Sequence, residues 1–259
     1  MDVRQVVNAL ELLEYFADRG RPATLAEVSK HFGWPRSSTF NLLGTLVNRG
    51  YLYEPRAREG YYPSPSWWSL IQRIDRAAPI ASELQDLITT LCRRTDETAV
   101  LAATSGMHAV FIAAAESRQA IRYTAAVGKL VPIHATATGR ALLSQLPEHE
   151  RGAILRRAVF ERYTPATLLS VDAVEKEIAL SLQRGYFEGA SEYTHDLGGI
   201  ALPLHVADRH LAVLVAGPAH RVHPRQAEIL QIMQEEIDRH LPGALPGETR
   251  ENGNTAAPG

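Results

Sequence analysis

Residues 129–143 read KLVPIHATATGRALL: a histidine, two threonines and a glycine at the head of an apolar helical stretch. An imidazole placed like His134 can act as a general base, ligate a metal, brace a tight loop, or touch a bound small molecule. Base catalysis needs a nucleophile or leaving-group partner, and the sequence offers no recognisable set. Metal ligation needs companions such as His195, His205 or His210, and none stands at a diagnostic spacing. Bracing the loop and contacting a ligand both stay open. Thr136 or Thr138 can cap a helix beginning near Gly139, and Gly139 allows a ligand close to the backbone. Unpaired N–H groups at a helix start favour a carboxylate or another anion.

A second group of polar residues occurs in WPRSSTFNLLGTLVNRG, residues 34–50. Pro35 suits a first helical turn. Phe40, Leu43 and Val47 mark an expected inward face. Ser37, Asn41, Thr45 and Asn48 fall on another face, with Arg36, Ser37 and Ser38 crowding the N-terminal end, where backbone N–H groups favour phosphate. Asn41 can pair with adenine in a major groove. Mid-helix Gly44 costs about 1 kcal/mol relative to alanine, which points to close packing there.

Three elements must position that helix. Val3, Val7, Leu10, Leu13 and Ala17 recur every three or four residues and predict an amphipathic helix before the break GRP at 20–22. Thr24, with Glu27 three residues on, predicts a capping box for LAEVSKHF, which Gly33 ends. Tyr51, Tyr53, Tyr61 and Tyr62 flank a polar tip carrying Arg56 and Arg58, a hairpin whose arginines can reach DNA. A short helix, a turn, a second helix with a small polar outer face, and a basic-tipped hairpin form a winged helix-turn-helix pattern.

PSPSWWSLIQRIDRAAP then predicts a linker helix with Trp67, Leu70, Ile71 and Ile74 on one side. Beyond Ala81 a helix leads into the strand-like runs TAVLAAT, HAVFIAAA and AIRYTAAV. Helical segments follow near 138–146, 148–158 and 172–184, then two strands, GGIALPLHV and HLAVLVAG, joined by ADR. Pro224 opens a last helix. That order predicts an α+β domain with a mostly antiparallel sheet. No phosphate-loop glycine motif, nucleophile elbow or His-Glu-x-x-His helix occurs, so no cofactor and no metal are expected.

Bulk properties narrow the classes. The 259 residues carry 27 Lys+Arg against 29 Asp+Glu, so nucleic-acid binding must rest on a local surface. A lone Cys92, at a helical apolar spacing, excludes an internal disulfide and a multi-cysteine zinc site. No apolar run approaches the roughly 18 residues of a membrane span, and the acidic N-terminus lacks a signal-peptide pattern, so no membrane association and a cytoplasmic location are expected.

The order of these pieces resembles the IclR-type family of bacterial transcription regulators over roughly residues 3–241. The stretches that carry the likeness are ALELLEYFADRGRPATLAEVSKHFGWPRSSTFNLLGTLVNRGYL, VGKLVPIHATATGRALL, LQRGYFEG and LAVLVAGPAHRV. The run Pro-x-His-Ala-Thr-Ala-x-Gly is the most family-specific. The resemblance implies a winged helix-turn-helix (1–66), a linker helix (67–80) and a GAF-like effector-binding domain (81–241); the tail 242–259 cannot bury enough to fold and is expected to be disordered. It also implies a homodimer or homotetramer on double-stranded operator DNA, modulated by a small-molecule effector, without catalytic activity. DNA contacts fall to Arg36, Ser37, Ser38, Asn41, Thr45, Arg56 and Arg58.

The same resemblance makes Ala137, Thr138 and Gly139 the anion seat, with His134 beside it and Thr136 as a supporting cap. Where relatives holding small hydrophilic acids place acidic, thiol or hydroxyl side chains, this chain has Gly189, Gly199, Leu214 and Ala216. Burying a polar ligand group without a partner costs about 1–3 kcal/mol, whereas apolar burial gains about 25 cal/mol per Å². An aromatic or otherwise apolar-bodied effector with at most one carboxylate is therefore expected. A small-molecule enzyme, or an interaction module without a ligand, are the competing classes.

Overall fold

In the computed structural model, which describes residues 3–56, 59–77 and 80–246, the chain divides into two units, Met1–Pro79 and Ile80–Gly259. The first holds α1 (Arg4–Arg19), α2 (Leu25–Phe32), α3 (Arg36–Asn48), a hairpin of β1 (Leu52–Tyr53) and β2 (Tyr62–Pro63), and α4 (Ser66–Ala77). Its core is Leu12, Phe16, Ala23, Val28, Leu43 and Leu52. The capping box on α2 forms as the spacing predicts: Thr24 accepts the Glu27 N–H at 3.3 Å, and the Glu27 carboxylate accepts the Thr24 N–H at 2.9 Å. These bonds, first that from the Thr24 backbone and then that from Arg19, lower the Glu27 carboxyl to about 2.

Two helices sit rotated from their predicted faces. On α1 the core takes Leu12 and Phe16, while Val3, Leu10 and Ala17 of the expected stripe are exposed. The helix carries apolar residues on more than one face, and the largest ring wins the core: Phe16 meets Tyr62 edge-on at 6.0 Å. On α3 the buried residues are Thr39 and Leu43, and Phe40 points outward at 60% exposure. Thr39 satisfies its hydroxyl on the Pro35 carbonyl at 3.0 Å, so a polar residue occupies the core without an unpaired donor.

The hairpin is tied back to the chain between α1 and α2. Ala23 and Tyr61 exchange backbone hydrogen bonds of 3.0 and 2.8 Å. That approach requires Gly60, at φ +99°, because a Cβ there would sit 2.3 Å from the Ala23 oxygen. Gly44 differs: nothing outside its own helix backbone lies within 4 Å of a Cβ built on it, so the expected close packing is absent. On α4, Trp67 donates to the Tyr51 carbonyl at 2.9 Å, while Trp68, Ile71 and Ile74 are exposed.

In the second unit, α5 (Ser82–Thr95) precedes β3 (Thr98–Ser105), β4 (His108–Ala115) and β5 (Leu130–Pro132). Next come α6 (Ala137–Leu143), α7 (Glu148–Arg157), α8 (Val171–Arg184) and β6 (Phe187–Ala190). The unit ends with β7 (Leu197–Val206), β8 (Arg209–Pro218), α9 (Ala219–Val222) and α10 (Gln226–His240). Six antiparallel strands run in the order β5-β4-β3-β8-β7-β6. The run 120–127, expected as a strand, is not one: Glu116 and Thr98 side chains take its Ala125 N–H and Tyr123 carbonyl instead of a ladder. The short β5 and β6 stand where no strand is predicted.

Alternation along the strands divides the apolar residues between two faces. Ile200, Leu202, Leu204, Leu211, Val213 and Val215 pack with α5 and α10. Ala201, Ala212, Leu214 and Ala216 pack with α6 and α8 on the other side. Ordered chain also runs past Leu241, where the domain was expected to end: Ala244 is buried and accepts the His205 N–H at 2.9 Å. The rest of the expected tail, 247–259, lies outside the described residues.

The two glycines predict opposite effects on stability. Gly60→Ala should destabilise the first unit by about 2 kcal/mol or more, from strain and collision with the Ala23 backbone. Gly44→Ala should stabilise it by about 1 kcal/mol, through helix propensity alone. Urea titrations of the full chain check both; equal midpoints for the two variants would contradict the geometry.

Candidate functional site

In the first unit, Arg36, Ser37, Ser38, Asn41 and Thr45 are all exposed. Among the described residues no side chain caps the start of α3, so its first-turn N–H groups remain available to an anion. Thr45 is partly engaged, donating to the Asn41 carbonyl at 2.7 Å. Asn41 and Thr45 also line a groove of about 740 Å³ against α1, where Arg4, Gln5 and Asn8 face them. Sequence reasoning missed those three, because α1 was read for its apolar stripe alone. On the hairpin, Arg56 is exposed and pairs with Glu59 at 3.3 Å; Arg58 lies outside the described residues.

In the second unit, six of the eight residues expected around an effector line one cavity: Ala137, Thr138, Gly189, Gly199, Leu214 and Ala216. Its floor follows from strand register. Gly189 pairs with Gly199 and Gly199 with Ala216, so three adjacent strands present a row with no side chain larger than a methyl group. The walls are residues that the sequence did not single out: Phe111, Tyr123, Val131 and, from the segment after β6, Glu192 and Tyr193. Tyr123 sits in the run misread as a strand, and Tyr193 follows a short strand with no period-two signal.

The cavity measures about 50 Å³. Burial, then the neighbouring Tyr193, pushes the Tyr123 phenol up to about 12, so it stays protonated and can donate. Lys129 approaches the Tyr123 oxygen at 3.4 Å and lies over its ring at 5.1 Å. Thr136, not Thr138, is the helix cap: its hydroxyl donates to the Pro132 carbonyl at 2.9 Å and accepts the Gly139 N–H at 3.1 Å. Thr138 lines the cavity.

Gly139 and His134 are placed elsewhere. A Cβ on Gly139 would lie 2.1 Å from the Ile133 oxygen, so this glycine admits the chain's own backbone rather than a ligand. His134 is buried and lines a separate cavity with His108, Glu161 and Tyr163, its ring 4.8 Å from that of Phe160. Burial lowers its pKa, opposed by the Glu161 backbone, so the ring is neutral. Among the described residues no group of three or more His, Cys, Asp or Glu side chains could hold a metal ion.

One ion pair joins α6 to the cavity wall. Arg140, fully buried, donates from Nη2 to the Glu192 carboxylate at 2.8 Å and to the Glu188 carbonyl at 2.6 Å. The Glu192 carbonyl in turn accepts from Thr167 at 2.6 Å and Thr164 at 3.2 Å. The segment carrying Tyr193 is therefore pinned by its neighbour on both the side-chain and backbone sides.

Residues 72–239 match the family model for the bacterial transcriptional regulator IclR C-terminal domain, and residues 5–56 that for the IclR helix-turn-helix domain. The chain is 28% identical over 205 residues to the HTH-type transcriptional regulator XynR of Escherichia coli, covering 78% of this chain and 80% of that protein. It is 26% identical over 226 residues to the acetate operon repressor of Salmonella typhimurium, covering 85% and 82%. IclR of Thermotoga maritima shares the fold with a TM-score of 0.70 at 21% identity, covering 92% of this chain and 99% of that one. An IclR homologue from Microbacterium hydrocarbonoxydans, complexed with 4-hydroxybenzoate, superposes with a TM-score of 0.72 at 20% identity over 92% and 98%.

Removing Arg140 while Glu192 stays should leave a half-buried carboxylate without its cationic partner. Arg140→Met is expected to cost about 3–5 kcal/mol, and adding Glu192→Gln should restore part of it. Denaturant midpoints of the single and double variants check this; a double variant less stable than Arg140→Met would contradict it.

Proposed function

The chain belongs to the IclR family of bacterial transcriptional regulators, with a helix-turn-helix domain and a C-terminal effector-binding domain, and we propose that it senses an aromatic acid. Operator DNA docks on α3 through Arg36, Ser37, Ser38, Asn41 and Thr45, with Arg56 and Arg58 of the hairpin beside it. Residues 1–66 form the DNA-binding part, 67–80 the linker and 81–241 the sensing part, in a cytoplasmic protein. The observation that carries the effector class is the bare row Gly189–Gly199–Ala216 under walls of Phe111, Tyr123, Tyr193 and Leu214. A flat ring matches the bare floor of such a slot, and that apolar floor offers a hydrophilic acid nothing to replace its water. The protonated Tyr123 phenol and the Thr138 hydroxyl supply donors for one carboxylate. The complex of the Microbacterium homologue with 4-hydroxybenzoate agrees with this class.

An aromatic acid is larger than a cavity of about 50 Å³. Binding therefore displaces the segment bearing Glu192 and Tyr193, which couples occupancy to the Arg140 ion pair. The bare apolar residues of the first unit, Val3, Val6 and Leu10 on α1 and Trp68, Ile71 and Ile74 on α4, support assembly as a homodimer or homotetramer. Such assembly lets an effector change the spacing of paired recognition helices.

Aromatic acids at a hundredfold excess over Kd should stabilise the full chain by about 2.7 kcal/mol, read as a rise in Tm, and Gly189→Val should abolish the rise by filling the slot. A rise produced only by small hydroxy acids would overturn the aromatic reading. At the other surface, Arg36→Ala combined with Asn41→Ala should remove sequence-specific operator binding while leaving the melting profile intact. Unchanged gel-shift affinity at physiological salt would reject α3 as the docking helix.

A further inference from the structure

We infer that Phe40 reads thymine methyl groups in the major groove and that Gly44 provides the clearance for it to do so. The inference rests on the docking of α3 proposed above and adds an apolar, base-specific contact to its polar surface. Phe40 is 60% exposed, the one large apolar side chain on an outer face otherwise made of Ser37, Asn41, Thr45 and Asn48. It does not line the groove that α1 makes with α3. At about 100° per residue, Ser37, Asn41 and Asn48 form the centre of the outward face, with Thr45 to one side and Gly44, then Phe40, to the other.

Gly44 stands one helical turn from Phe40. It costs the helix stability, and no neighbouring side chain or backbone needs the space it leaves. Two features that the fold does not use thus occur side by side on the surface assigned to DNA. Both are accounted for by a base edge approaching this part of the helix closely. In the major groove, guanine, adenine and cytosine offer donors and acceptors, whereas thymine carries the C5 methyl group. Asn41, suited to adenine, favours the same A·T pairs that present that methyl. A phenyl ring beside a glycine can cover it without the helix moving outward.

The test uses the full-length chain and duplexes that it selects from a random library. In the enriched sequence each thymine is replaced in turn by deoxyuridine, which pairs identically and lacks only the methyl. The wild type should lose affinity by about 4-fold at one or more positions, the value expected for one buried methyl-sized group. Phe40→Ala should bind the thymine and uracil duplexes equally, and Gly44→Ala, although folded, should bind both more weakly. Indifference of the wild type to every uracil, or undiminished discrimination by Phe40→Ala, would overturn the inference while leaving operator binding intact. Failure to enrich any sequence would instead remove the DNA-binding reading itself.

Discussion

The second unit depends on an asymmetry between the two faces of one antiparallel sheet. On the side facing α5 and α10 the strands present isoleucine, leucine and valine, whose burial supplies the core. On the other side, register aligns Gly189, Gly199 and Ala216 across three strands, so along this row nothing larger than a methyl group rises from the sheet. Close packing would ordinarily collapse such a gap. Here α6 is anchored beside the gap: Gly139 sets its first turn against the Ile133 backbone, and Arg140 reaches to Glu188 and Glu192. A recess survives because its floor is small and its roof is braced.

The brace also explains how a recess of this kind can report its contents. Glu192 shares its carboxylate with a buried arginine, and its backbone carbonyl is held by two threonines. Tyr193, the next residue, walls the cavity. Under the binding proposed above, an occupant that moves the ring strains an ion pair whose arginine is fully buried, where the exchange of partners is expensive.

In the first unit the decisive choice is rotational. Thr39 and Leu43 turn α3 so that its polar residues and Phe40 face outward, and Gly60 lets the hairpin close against Ala23. Each of these positions is a local compromise: a hydroxyl in the core satisfied by Pro35, a left-handed glycine at a crossing of two segments. The outcome is a helix presented rather than buried.

Local chemistry was legible in the sequence: the Thr24–Glu27 capping box, the β3, β4, β7 and β8 alternation, the glycine-terminated helices and the polar surface of α3. Such features depend on neighbours a few residues apart, which the chain order contains. The likeness to relatives also grouped Gly189, Gly199, Leu214 and Ala216, which line one cavity although nothing local joins them. What the chain order left open was decided in three dimensions. The α1 stripe and Phe40 were assigned to the wrong faces, because several apolar registers compete along one helix and only the partner surface chooses. His134 and Gly139 proved to serve a neighbouring cavity and a backbone crossing. Tyr123, Tyr193 and the Arg140–Glu192 pair entered the site through contacts far apart in sequence, and distance along a chain carries no record of distance through space.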